Sequence, residues 1–247
     1  LCRMKFERFY KSLIPMIGVM SLGLTYPVIA QSYMPMGSFE AVAYPVAITP
    51  LPLNTSGARS GATGAAAAPR RAEPVVQTTY RAQSAVTQRV KRQFTEFVGR
   101  NGGDAAGLAV AMEREDFFAR WGRHVSSYGL RRGDAADAMT AYWMINWQIA
   151  NDVTDVSRSQ VLAVKRQVLA GMGADAGFSR LNDAEKQEMA EALILNFIIQ
   201  SVAYEDAMKA NDAAMKGRLQ SAAVARFRNE AGVDLRRIRL TETGFSS

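Results

Sequence analysis

The sequence predicts an all-α fold: a single orthogonal or bundle-like domain of five to seven helices, preceded by a signal peptide and a disordered or extended spacer. Three observations carry this. No alternation of apolar and polar residues longer than a few positions occurs between Ala85 and Gly232, whereas apolar residues recur there at steps of three and four, the period of a helix face. Gly, Asn and Asp punctuate those runs where helices would end. Upstream of Tyr80 the periodicity stops and prolines gather. The chain divides into a signal peptide (1–30), a spacer (31–79) and a helical domain (80–247) large enough to enclose one core.

Residues 1–30 have the order of a secretory signal. Arg3, Lys5, Arg8 and Lys11 precede an apolar run of 12 residues from Leu13 to Leu24, and Val28-Ile29-Ala30 ends in a small residue before Gln31. Met4, in MKF, opens such a signal naturally. The apolar run is short of the roughly 20 residues that span a bilayer, so cleavage is expected and no retained transmembrane helix. The destination is the periplasm or, failing that, the extracellular medium. The whole chain has 30 basic and 23 acidic residues, net +7, but four basic and one acidic residue fall in 1–30, which leaves +4. Nucleic-acid binding thereby loses its electrostatic argument. Cys2 is the only cysteine, so the processed chain has no disulfide and no thiol chemistry, and relies on its own core.

Residues 31–79 contain Pro35, Pro45, Pro50, Pro52, Pro69 and Pro74 around a Gly/Ser/Ala-rich middle, the composition of a disordered or extended spacer. The patch FEAVAYPVAITPLPL, 39–53, is more apolar than a typical spacer. It reads either as an extended strand laid against the domain or as a docking segment for a partner.

The helices follow in order. Val86, Val90, Phe94 and Phe97 form the first stripe, ended by Asn101-Gly102-Gly103. Asp104 caps the next stretch, along which Phe118, Trp121, Val125 and Tyr128 line one face before the stop at Gly129. Asp134 caps the run AADAMTAYWMINWQIANDV, 135–153. Ser157 caps a helix with Val161, Val164, Val168 and Met172 inward. Asn182 and Glu185 have capping-box spacing ahead of the most apolar segment, which Glu191 and Glu205 bracket too closely for a membrane span. Asn211 opens the last helix, with Met215, Leu219, Ala223 and Phe227 inward and Gly232 at its end. The tail, 233–245, is a short helix or a strand-like return across the bundle.

The run 135–153 is the centre of this arrangement. Tyr142, Trp143, Asn146, Ile149 and Ala150 share a face while Met144 and Trp147 point partly away, so the helix should be covered on several sides. Asn146 is either a satisfied core amide that holds register or, with Tyr142 and a tryptophan, part of a groove offering stacking and hydrogen bonds. Tyr142, Trp143, Asn146, Trp147 and Asn151 are the candidate residues for binding a ligand or partner.

No spacing commits the chain to a reaction. His124 is the only histidine, which excludes a multi-histidine zinc site and HExxH. Near Arg120 and Arg123 it reads as part of a solvated face, and Ser126 and Ser127 are too close in sequence to serve it as nucleophiles. Asn151, Asp152 and Asp155 lack the Gly and distal Glu of a calcium loop. No metal and no cofactor is expected. Carboxylate chemistry is the enzymatic option that stays open: Glu113 and Glu115 are the candidate catalytic residues, with Asp116, Asp134 and Asp137 nearby, although such clusters commonly cap helices. The C-terminal end is basic, and Arg236, Arg237 and Arg239 are the candidate surface for an acidic partner or an anionic envelope polymer or lipid.

The segments YGLRRGDAADAMTAYWMINWQIAN (128–151) and RFRNEAGVDLRRIRLTETGF (226–245) resemble a family of exported bacterial proteins of unknown function, mostly proteobacterial. In it a YGL turn, an AYW…NW helix and a GxDL…LT…GF tail close a helical domain. The resemblance covers roughly residues 80–245, leaves the spacer outside, and implies export and domain limits but no activity. Together these readings predict an exported helical domain that binds an envelope protein or anionic envelope polymer without catalysis. A carboxylate hydrolase of wall glycan or peptide and a structural envelope stability factor are the alternatives.

Overall fold

Seven α-helices and one hairpin make up the described residues, 47–54 and 76–247, of the computed structural model. They are α1 (Ser84–Arg100), α2 (Ala105–Arg114), α3 (Phe117–Val125), α4 (Ala135–Asn151), α5 (Arg158–Ala174), α6 (Asp183–Lys209), α7 (Ala213–Ala231), β1 (Arg239–Thr241) and β2 (Gly244–Ser246). The fold is all-α apart from that hairpin. The expected signal peptide, 1–30, and the remainder of 31–75 lie outside the described residues. Among the described residues, no helix is long and apolar enough to cross a membrane.

Six of the seven helices begin at a side chain that accepts an otherwise unpaired backbone N–H. Asp104 caps α2, Asp116 caps α3 and Asp134 caps α4. Ser157 with Gln160, and Asn182 with Glu185, make reciprocal capping boxes on α5 and α6. The cap of α7 is Asp212, not Asn211: Asn211 takes a left-handed φ of 53° in the preceding turn, and Asp212 accepts from Met215 N at 2.8 Å. Asp116 explains why the stretch after Asp104 is two helices. Its carboxylate starts a new N-terminus, taking the N–H of Ala119 at 2.9 Å.

The central helix, α4, is buried from Ala135 to Ala150. It packs against α5, α6 and α7, most extensively against α6, while α1 and α3 lie on α6, α2 on α1, and β2 on α5. The inward face of α1 is Val86, Val90, Phe94 and Val98, a strict step of four. Phe97 is therefore only half-buried, one position off the stripe. The faces of α5 and α7 are as the sequence predicts: Val161, Val164, Val168 and Met172, and Met215, Leu219, Ala223 and Phe227, are all buried.

Helix α1 has no cap from its own sequence. Three residues one turn apart on α6 instead anchor the chain where it enters α1. Asp183 accepts from Arg81 N at 3.0 Å, Gln187 accepts from Gln83 N at 2.8 Å and returns a bond to Gln83 O at 3.0 Å, and Glu191 accepts from Thr87 Oγ1 at 2.8 Å. Glu191 and Glu205, read from the sequence as polar ends of an apolar run, are both buried, and Glu205 pairs with Lys209.

Two segments without helix complete the core. Residues 47–54, inside the stretch expected as spacer, lie against α4 and α5 as an extended strap, with Ile48 and Leu51 buried. Residues 76–79, from the same stretch, also pack on the domain, with Thr78 buried and its carbonyl accepting from Ala135 N at 2.9 Å. The C-terminal tail is a strand-like return: β1 and β2 pair antiparallel, Leu240 opposite Phe245, and Asn54 of the strap bridges Ser246 in parallel. Gly244, at φ +111°, allows the reversal before Phe245 enters the core.

Candidate functional site

Three of the five candidate residues on α4 lie deep in the core. Tyr142 stacks on Phe227 at 5.7 Å between centroids, and Trp143 meets the same ring edge-on at 4.6 Å. Burial raises the Tyr142 phenol above its ordinary pKa. Asn146 is fully buried with both ends of its amide in use: Nδ2 donates to Tyr142 O at 2.9 Å, and Oδ1 accepts from Arg226 Nη1 at 2.9 Å. Beside it a cavity of about 20 Å³ opens between α4, α6 and α7, room for a water and little more.

Trp147 and Asn151 do something different. Trp147 Nε1 donates to Ile238 O at 3.1 Å, and Asn151 Nδ2 donates to Leu235 O at 3.1 Å. Those two carbonyls flank Arg236 and Arg237. Leu235 and Ile238 are themselves buried, so the pair of arginines sits on a turn pinned at both shoulders. Arg237 N closes the turn onto Asp234 O at 2.9 Å, and the Arg236 guanidinium reaches Ala150 O at 3.5 Å. Arg236, Arg237 and Arg239 are exposed. The nearby Asp234 is already engaged, by Arg228 at 2.6 Å and by Arg236 N at 3.0 Å, and these bonds hold its carboxyl below the usual range. Arg237 stands 3.9 Å from it, a loose contact. Two groups that the sequence treats separately, the end of the aromatic helix and the basic tail, thus form one unit.

The carboxylates near the start of α3 and α4 are dispersed. Glu115 is ion-paired with Arg120, both with little exposed surface. Glu113 is exposed and borders an open groove of about 430 Å³ between α1 and α2, together with Lys91 and Glu96. Asp116 and Asp134 cap helices. Asp137 is buried, held by Lys165 at 2.5 Å and by Arg131 N at 3.0 Å, and burial raises its pKa. His124 is not on a solvated face: it is half-buried, 6.2 Å from the Phe197 ring and 6.4 Å from Tyr128, and loss of hydration pulls its pKa to about 4. Among the described residues, no group of three His, Cys, Asp or Glu side chains is placed to hold a metal.

Sequence reasoning missed Gln167 and Gly171, which seat the strap together with the candidate Trp143. Gln167 Nε2 donates to Pro52 O at 3.0 Å and Phe245 O at 2.8 Å, and Trp143 Nε1 donates to Thr49 O at 3.3 Å. Gly171 leaves room for Pro50 O, which a Cβ there would meet at 2.6 Å. The apolar patch 39–53 pointed to a segment on the domain, and Gly171, a glycine inside an otherwise regular helix, is the signal that could have found its seat.

No curated protein and no solved structure matches the chain. A family profile does match, and over more of the chain than the resemblance in 80–245 covers, since it begins ahead of the strap. Residues 41–247 match the family of unknown function DUF6683, and the chain belongs to it.

Proposed function

We propose that the chain is an exported, non-enzymatic binding domain that engages an anionic polymer or surface of the cell envelope through Arg236, Arg237 and Arg239. One observation carries this reading. The bonds from Trp147 and Asn151 to the carbonyls of Ile238 and Leu235 hold the turn between them, so the exposed Arg236 and Arg237 are carried on backbone with little freedom left to lose on binding. The export signal read in residues 1–30 supplies the compartment, periplasmic or extracellular. Glu115 and Asp137, held by Arg120 and Lys165, serve in this reading as structural ion pairs.

The test is binding of the full chain to phosphatidylglycerol-containing vesicles and to purified anionic wall polymer, against neutral phosphatidylcholine vesicles. Each arginine near an anionic surface contributes about 1 kcal/mol, so R236Q/R237Q/R239Q should weaken binding about a hundredfold. Stability should move by no more than about 0.5 kcal/mol, because the three side chains are exposed. Wild-type binding indifferent to ligand charge, or a triple variant that binds like wild type, would overturn the reading.

A further inference from the structure

The seat of residues 47–54 is built like a peptide site, although the chain itself fills it. Ile48 and Leu51, three residues apart, enter the core while Pro50 and Pro52 stay exposed. Three-residue spacing, with prolines that need no donor bond, suits an extended segment read from one side. The domain supplies the matching features. An indole N–H from Trp143 and an amide N–H from Gln167 take the carbonyls of Thr49 and Pro52. Gly171 admits Pro50 O, and the backbone of Asn54 pairs with Phe245 O at 3.0 Å and with Ser247 N at 3.1 Å. These contacts read the segment's carbonyls and two apolar side chains and need no covalent continuity with the domain.

The length of the connection also permits exchange. Residues 55–75 join the strap to Val76 and, fully extended, reach up to roughly 70 Å. A domain of this size has a radius of gyration of about 16 Å, so that length is enough for the strap to reach a neighbouring molecule. Every element that forms the seat, α4, α5 and the hairpin, lies in 76–247. We propose that this seat is an exchangeable recognition site for an extended, proline-containing segment, and that residues 47–54 of a second copy of the chain occupy it in an assembled form.

Two full-length variants test this. In one, Ile48→Asp with Leu51→Asp spoils the strap and leaves the seat open. In the other, Gly171→Val closes the seat and leaves the strap unused. Mixed at micromolar concentration, the two should form a one-to-one heterodimer by light scattering, with neither forming dimers alone. A synthetic peptide of residues 46–55 should bind the strap variant at least tenfold tighter than wild type, where the tethered strap competes at an effective concentration of about millimolar. The same peptide carrying both aspartates should not bind. A mixture of folded variants that stays monomeric overturns the exchange. If Gly171→Val fails to fold, the peptide decides: affinity for the strap variant no greater than for wild type overturns the proposal.

Discussion

Two seams attach non-helical chain to the helices, and they use opposite chemistry. Along one, neutral donors on α4 and α5 reach backbone carbonyls: Trp143 and Gln167 hold the strap, Trp147 and Asn151 the C-terminal turn. Along the other, acceptors on α6 take N–H and O–H groups of the incoming chain, with Asp183, Gln187 and Glu191 facing Arg81, Gln83 and Thr87. None of the four donors in the first seam titrates. The second ends in a buried carboxyl group, Glu191, whose pKa burial raises although Gln187 and Thr87 both donate to it. Proton concentration therefore acts on the second seam and leaves the first alone.

The contrast can be broken most forcefully at Trp143. Trp143→Ala removes the donor to Thr49 O and the ring packed on Phe227, and should cost about 3–5 kcal/mol in urea denaturation, equally at pH 5 and pH 8. A loss under about 1 kcal/mol would mean that the first seam is not seated in the core.

Glu191 sharpens the contrast from the other side. Its folded-state pKa lies above the unfolded one, so its contribution is full below the ordinary carboxylate range and is lost as pH rises through the raised value. Glu191→Gln retains an acceptor for Thr87 and carries no charge. It should gain roughly 1–3 kcal/mol over wild type above the raised value and nothing in acid, seen as melting temperatures that diverge with pH. A difference constant from pH 4 to pH 8 would place the titration elsewhere.

The smallest effect is expected from Trp147→Phe, which keeps most of the ring and loses the bond to Ile238 O. It should cost about 1 kcal/mol without pH dependence. It should also loosen the arginine turn, visible as faster amide exchange at Arg237.

What could be read from the sequence follows the same division. Capping boxes and apolar faces are local, so Asn182 with Glu185, and the stripe of α5, were legible. The shift from Phe97 to Val98 was not, because steps of three and four both fit a helix and the packing of α1 on α6 selects between them. Neither seam was legible. The first uses backbone carbonyls as acceptors, which every residue carries, so Trp147 and Asn151 show nothing of their partners 91 and 84 positions away. The second joins residues 102 to 104 positions apart, and Glu191 in isolation looks like the polar edge of an apolar run. The apolar excess of 39–53 did raise a segment laid against the domain as one option, but the prolines around Ile48 and Leu51 suppress helix and strand periodicity alike, so which residues enter the core, and where, carried no pattern.

The strap also determines how the molecule would carry load. Everything upstream of Ala47 is joined to the helices through it, so a pull from that side arrives first at the Thr49, Pro52 and Asn54 contacts. These contacts would be loaded in turn before any helix is stressed. Tension applied at the N-terminal side would therefore be taken first by the strap's own bonds and leave the arginine turn, held from α4, in its shape.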